Sequence, residues 1–171
     1  MLFRHRARLL FGTIGALGLA MAAPSAEAQQ AELDVIASVL ADCSVVEGGA
    51  TLDFDTYNSS DSSPTLADTL FSVTCSAATD VIVSLGGGNN VDGTTRRMNN
   101  GGGGPLLTYE LWQDSARSIK FGDGSGLGQT KTVSVTVGND TDVPVFGSIV
   151  PGQQVPAGDY QDTVNIILSV T

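Results

Sequence analysis

The strongest constraint on this chain is a row of small and apolar residues at every second position between residues 33 and 45. Successive side chains of an extended strand point to opposite faces, so this whole row lies on one face. Its members are Leu33, Val35, Ala37, Val39, Ala41, Cys43 and Val45. The same period of two returns near the C-terminus in Val164, Ile166, Leu168 and Val170. Strand-forming segments at both ends favour a protein that pairs with its neighbours.

Residues 1–28 have the features of a secretory signal peptide. Three arginines among the first eight residues give a positively charged start, and the apolar run over 9–23 is short for a membrane span. Ala26-Glu27-Ala28 matches the small-x-small pattern of a cleavage site. A transmembrane anchor is the alternative for this segment. We expect export, with residues 29–171 as the mature protein and no membrane anchor.

Charge and composition exclude several classes of function. The formal net charge is −10 at pH 7, and loss of residues 1–28 makes it more negative. Such a surface repels nucleic acid and anionic lipid. The only histidine, His5, lies in the predicted signal peptide, so the mature protein has no imidazole for a nucleophilic site or for zinc. We expect no nucleic-acid partner, no metal, no cofactor and no catalytic residues, although paired carboxylates leave a hydrolase as an alternative.

The chain has two cysteines, Cys43 and Cys75. Both follow the predicted signal peptide, and an even count in an oxidising compartment favours one disulfide. Two buried free thiols are the alternative. The bridge would join the first strand to a strand about thirty residues later, and it would contribute roughly 3–4 kcal/mol in the chain-entropy model.

Further short strands are predicted along the rest of the chain. Apolar residues alternate at 51–54, 69–75, 81–85, 107–111, 133–137 and 143–149, and the last strand is expected to begin near Tyr160. Glycine, asparagine and proline interrupt these runs, and no helical period occurs after residue 28. This pattern is typical of an all-β domain. It favours a single β-sandwich, with a closed barrel as the alternative.

The region between 86 and 112 combines glycine-rich stretches with three notable side chains. Glycines at 86–88 and 101–104 flank Arg96 and Arg97, and these glycines lack the lysine and Ser/Thr of a phosphate-binding loop. We predict that both arginines lie in a loop and pair with carboxylates. The single tryptophan, Trp112, is predicted to pack at the margin of the sandwich.

Several segments, in their order along the chain, resemble the spore coat protein U domain family. This family consists of secreted, pilin-like subunits of the archaic chaperone–usher pathway. The resembling segments are 41–45, 52–57, 73–75, 97–98, 107–114, 145–149 and 157–164, the last reading Ala-Gly-Asp-Tyr-Gln-Asp-Thr-Val. One departure is Asp55, where the family usually has glycine after the phenylalanine.

The resemblance implies an incomplete, immunoglobulin-like, pilin-type β-sandwich that lacks its last strand. In such subunits a periplasmic chaperone first fills the resulting groove. At an outer-membrane usher, the N-terminal segment of the next subunit then replaces the chaperone. A sandwich without one strand exposes apolar core and unpaired backbone groups, and a donated strand satisfies both.

The expected donor strand is the segment 29–41, and the expected acceptor domain is 42–171. The donor side chains are Leu33, Val35, Ala37 and Val39. The acceptor edge runs from Asp162 to Val170 and carries Val164, Ile166, Leu168 and Val170. We therefore expect a non-enzymatic subunit of a surface pilus, exported through the periplasm, that polymerises with like subunits and supports adhesion and biofilm formation. The alternative is a monomeric secreted adhesive or ligand-binding β-sandwich, in which residues 32–41 form its own first strand.

Overall fold

The computed structural model describes residues 34–171, so the predicted signal peptide and Leu33 lie outside the described residues. The chain divides into two units, Met1–Ala37 and Ser38–Thr171. In the first unit, residues 34–37 belong to no strand and are exposed. All strands of the described part of the chain lie in the second unit.

Eight strands form two antiparallel sheets. They are β1 (Cys43–Val45), β2 (Thr65–Cys75), β3 (Thr79–Leu85), β4 (Arg96–Met98), β5 (Leu107–Trp112), β6 (Lys131–Val135), β7 (Thr141–Ile149) and β8 (Ile166–Val170). The larger sheet has the order β1-β2-β7-β5-β4, and the smaller has the order β6-β3-β8. Within residues 34–171 no helix has the length and hydropathy of a membrane span.

The two sheets enclose one apolar core. The alternation predicted from the sequence places one face of each long strand inward, because successive side chains point to opposite sides. The members that are at most 3% exposed are Phe71, Val73, Val81, Val83, Leu85, Leu107, Phe121, Val135, Val143 and Ile149. This arrangement confirms the all-β sandwich.

The disulfide between Cys43 and Cys75 is present, as predicted. These two residues are direct partners in the antiparallel pairing of β1 with β2. The bridge therefore fixes the edge strand β1, which has only three residues, to the longest strand of the larger sheet.

Several strand boundaries differ from the predictions. Residues 34–42 and 49–58 contain no strand, β8 begins at Ile166 and not near Tyr160, and β6 ends at Val135. Alternating apolar residues form a strand only where another strand offers hydrogen-bonding groups. Among the described residues no strand pairs with 34–42 or 49–58, and therefore their apolar pattern alone does not produce a sheet.

The prediction that Arg96 and Arg97 lie in a loop was wrong, because both belong to β4. Arg96 points inward and is 1% exposed, and its Nε and Nη2 donate hydrogen bonds to the carbonyl oxygens of Gly86 (2.9 Å) and Leu85 (3.0 Å). Because a charged residue occupies an inward position, the sequence of this strand does not show the apolar alternation by which the other strands were predicted. Arg97 points the other way and pairs with Asp92 at 3.2 Å, as expected for its charge.

Candidate functional site

A groove runs between two segments that are largely outside the sheets. One wall consists of residues 49–58 and the other of residues 155–166. The groove has a larger lobe of about 880 Å³ and a smaller lobe of about 700 Å³. Core side chains form the floor of the larger lobe, among them Phe71, Leu85 and Leu111. The groove therefore opens directly onto the hydrophobic core.

The C-terminal wall alternates between the groove and solvent. The half-buried residues are Tyr160, Asp162, Val164, Ile166 and Leu168, and each residue between them is exposed. Val170, at the end of β8, is 45% exposed. The sequence predicted an acceptor edge from Asp162 onward, with apolar side chains from Val164. The structure extends the inward row back to Tyr160, which was not predicted.

One edge of β8 carries hydrogen-bonding groups that no strand uses. On its other edge β8 pairs with β3: Gly86 N–H donates to the Asn165 carbonyl (2.9 Å) and Thr171 N–H to the Asp80 carbonyl (3.2 Å). Backbone groups alternate sides along a strand, so those of Ile166, Leu168 and Val170 point to the opposite edge. Among residues 34–171 no strand pairs with that edge.

Side chains, and not backbone hydrogen bonds, hold the N-terminal wall in place. In the described part of the chain, residues 49–57 take part in no backbone–backbone hydrogen bond. Leu52 and Phe54 pack inward over Gly147, where an added Cβ would lie 2.5 Å from Leu52 and 2.6 Å from Phe54. Phe54 also meets the Tyr109 ring edge-to-face, with centroids 6.3 Å apart. Glycine at 147 is therefore what allows this wall to close against the sheet.

The turn after Phe54 accounts for the departure at Asp55. Asp55 has a φ of +53°, in the left-handed region that favours glycine, and its N–H donates to Asp53 Oδ1 at 2.8 Å. Aspartate adopts this conformation more readily than most residues, and here the Asp53 side chain holds the backbone of Asp55 in it. The turn keeps the geometry that glycine normally provides.

A glutamine side chain fixes the far end of the N-terminal wall. Gln153 Oε1 accepts from Thr108 N–H (2.8 Å) and Gln153 Nε2 donates to the Thr108 carbonyl (2.9 Å), so the amide takes the place of a neighbouring strand. The Gln153 N–H donates to the Tyr57 hydroxyl oxygen at 2.7 Å. No signal in the sequence identifies this role.

One polar pair interrupts the apolar lining of the groove. Tyr109, on the floor, donates its hydroxyl proton to Asp162 Oδ2 at 2.7 Å. The other oxygen of Asp162 accepts from the Asn89 N–H (2.8 Å) and from Asn90 Nδ2 (3.3 Å). Burial, followed by the hydrogen bond to Asp162, raises the pKa of the Tyr109 hydroxyl well above its ordinary value. Three donors from its own chain therefore hold this carboxylate in place.

The predicted donor residues in the described part of the chain are exposed. Val35 and Val39 are 85% and 83% exposed, and Ala37 is also exposed. Ile36 and Leu40 on the opposite face are 93% and 88% exposed. A run of large apolar residues at this level of exposure is unusual for a folded protein and marks an interaction segment. The structure itself does not assign the donor role.

Other features contribute no further site. Trp112 packs at the margin of the larger sheet, where its Nε1 donates to Ser148 Oγ at 2.9 Å and Lys120 Nζ lies 5.9 Å from its ring centre. In residues 34–171 no group of three or more His, Cys, Asp and Glu side chains is arranged to hold a metal ion.

Comparison with known proteins agrees with the fold. The family model described as the Spore Coat Protein U domain matches residues 29–167. Protein U of Myxococcus xanthus is 33% identical over 165 residues, and the match covers 89% of this chain and 90% of Protein U. The match to the family model begins before the exposed N-terminal segment and ends within β8.

A solved structure shares the architecture. It is a chain in the crystal structure of the CsuC–CsuE chaperone–tip adhesion subunit pre-assembly complex, from archaic chaperone–usher Csu pili of Acinetobacter baumannii. The two chains superimpose with a TM-score of 0.52 and 23% identity over 77% of this chain. The present chain spans 40% of the length of that solved chain. This similarity establishes a pilin-type β-sandwich fold.

Proposed function

Because the chain belongs to the Spore Coat Protein U domain family, we propose that it is a structural subunit of a surface pilus assembled by donor-strand exchange. The observation that carries the proposal is the groove beside β8, which combines an apolar floor with an unpaired strand edge. Each feature alone is a liability for a protein in water, since exposed apolar surface and free strand edges both promote aggregation. One inserted strand removes both.

The N-terminal segment has the chemistry of that inserted strand. Val35, Ala37 and Val39 share one face of an extended segment, and each is exposed. Burial of each valine in the groove of a neighbour would contribute about 1.5–3 kcal/mol, and main-chain hydrogen bonds would fix the strand along the free edge of β8. A segment of one subunit that fits the groove of the next produces a head-to-tail polymer.

The partners follow from the same groove. A subunit with an open groove needs a substitute strand before it polymerises, and we propose a periplasmic chaperone for this step and an outer-membrane usher for the exchange. The similarity to a chain of a chaperone–subunit complex supports the chaperone. The pilus would lie on the cell surface and serve adhesion and biofilm formation, and the subunit would act without catalysis.

The test replaces one side chain on each face of the donor segment. Val35→Asp puts a charge on the face that enters the groove, and Ile36→Asp puts the same charge on the opposite face as the matched control. With a chaperone co-expressed, we expect Val35→Asp to abolish polymers while the one-to-one chaperone complex survives. Ile36→Asp should leave polymers intact. Size-exclusion chromatography with light scattering and electron microscopy provide the measurements.

Two outcomes would contradict the proposal. Polymers of normal length from Val35→Asp would show that the segment is not the donor. A wild-type mature protein that is a stable monomer without any chaperone would favour the monomeric adhesive or ligand-binding sandwich.

A further inference from the structure

We propose that the Tyr109–Asp162 pair sets the register of the donated strand, because it accepts only a small residue, Ala37, at its position in the groove. This inference rests on the proposed function and specifies how the groove selects its occupant. The carboxylate of Asp162 is the only charged group in the inward-facing row of the C-terminal wall from Tyr160 to Val170. Both side chains of the pair line the larger lobe.

The pair is a fixed obstacle. Tyr109 is 5% exposed, and its hydroxyl lies 2.7 Å from Asp162 Oδ2, while Asn89 and Asn90 donate to Oδ1. A large apolar side chain packed against Asp162 would remove water from the carboxylate without replacing any hydrogen bond, which is unfavourable. An alanine leaves the pair undisturbed.

The donor segment offers three alanines on this face, Ala31, Ala37 and Ala41. Ala31 does not suit this position, because only two residues of the segment precede it and the free edge of β8 would stay unpaired. All pairings between named strands in this structure are antiparallel, so we take the donated strand to run antiparallel to β8. If Ala37 lies opposite Asp162, Val35 lies opposite Val164 and Val39 lies opposite Tyr160. If Ala41 lies there instead, Val39 moves opposite Val164.

The smaller lobe of the groove decides between the two registers. It lies beyond Tyr160 and is lined in part by Leu107, Ile149 and Val155. With Ala37 opposite Asp162, the donor continues past Tyr160 through Val39 and the two residues that follow, and so covers this lobe. With Ala41 opposite Asp162, the donor segment ends before the lobe and leaves its apolar lining exposed.

Cysteine crosslinking in polymers measures the register directly. The variant Val35→Cys/Val164→Cys carries a pair that the proposed register brings together between neighbouring subunits. Val39→Cys/Val164→Cys is the matched control, and it pairs in the Ala41 register or in a parallel arrangement. We expect a covalent ladder on non-reducing gels from the first variant alone. A ladder from the control alone, or polymers of the first variant without a ladder, would overturn the register.

A second measurement varies the donated segment as a separate peptide. A synthetic peptide of residues 29–41 competes with polymerisation or displaces the chaperone, and peptide variants A37L and A41L differ only in which alanine is enlarged. We expect A37L to lose at least about tenfold in affinity and A41L to lose less than about threefold. On subunits that carry Asp162→Ala, the A37L peptide should regain most of the affinity that it loses on the wild-type subunit.

The outcomes separate this inference from the proposed function. Two results would refute the role of the pair while leaving strand donation intact. One is a larger loss of affinity for the A41L peptide than for the A37L peptide. The other is an equal loss of affinity for the A37L peptide on wild-type and Asp162→Ala subunits. Absence of both peptide binding and polymers would count against strand donation itself and, with it, the register.

Discussion

Removal of the Cys43–Cys75 disulfide tests how the edge of the larger sheet is held. The bridge closes a loop with a sequence separation of 32 residues. In the chain-entropy model, a loop of this length stabilises the folded state by about 4 kcal/mol. β1 contributes only three residue pairs to β2, from Cys43 opposite Cys75 to Val45 opposite Val73. Backbone pairing alone therefore offers little compensation.

The assay is urea unfolding of the mature protein, with its groove filled by an excess of a peptide of residues 29–41, followed by fluorescence of Trp112, the only tryptophan, which is half-buried. The double variant Cys43→Ala/Cys75→Ala should lose about 4 kcal/mol of unfolding free energy. For a slope of about 2 kcal/mol per molar urea, the urea concentration at the midpoint should fall by about 2 M. A reductant should lower the wild-type midpoint by a similar amount and should leave the double variant unchanged, which provides the control.

A midpoint shift below about 0.5 M would refute the reasoning. It would mean that the reduced, unfolded chain is already restricted between residues 43 and 75, or that β1 contributes little to the folded state. The slope distinguishes these explanations, because residual structure in the unfolded chain lowers the slope and a frayed β1 leaves it nearly unchanged.

Two further predictions concern the groove. Gln153→Ala leaves the backbone N–H and carbonyl of Thr108 without partners and should cost about 1–3 kcal/mol in thermal unfolding, whereas the exposed neighbour Gln154→Ala should be nearly neutral. Burial and the bond to Asp162 raise the pKa of Tyr109 above its ordinary 10.0, so the unfolded chain releases this proton before the folded chain does. Stability should therefore fall as pH rises above about 10, and Tyr109→Phe should flatten that fall; equal slopes would contradict this assignment.

Local alternation was sufficient to predict the long strands and the core. In β2, β3 and β7 the buried residues are apolar except for Ser148, and threonines occupy the half-buried inward positions. The burial of most side chains therefore follows from their own position in the strand. The disulfide was also predictable, because an exported chain with two cysteines has one pairing to make. These features depend on a residue's immediate neighbours in the sequence.

The features that were missed depend on partners far along the chain. Arg96 is buried in β4 because the carbonyls of Leu85 and Gly86 accept its N–H groups, and neither carbonyl leaves a mark in the sequence around Arg96. Residues 51–54 alternate like a strand, yet no described strand lies beside them. The same apolar pattern can therefore belong to a strand that pairs within the subunit, or to a groove wall that we propose pairs with a strand of another protein.

For the site, the sequence located half of the C-terminal wall. The row from Val164 to Leu168 was visible as apolar alternation, whereas Tyr160 and Asp162 continue the same inward row with a phenol and a carboxylate. Apolar alternation in the sequence therefore ends at Val164 and does not indicate that Asp162 and Tyr160 face the same way. Only the hydrogen bond from Tyr109 to Asp162 reveals that the polar end belongs to the same groove.

The position of the disulfide connects the stability of the subunit to its proposed assembly. Cys43 is the first residue of β1 and directly follows the segment that we propose is donated. Tension along a polymer would enter each subunit at this point. Without the bridge it would act on the three-residue pairing of β1 with β2. With the bridge it passes through a covalent bond into β2, which pairs with β7 from Thr65 opposite Ile149 to Val73 opposite Thr141. The disulfide would thus transfer load from a pairing of only three residue pairs to the longest pairing of the sheet.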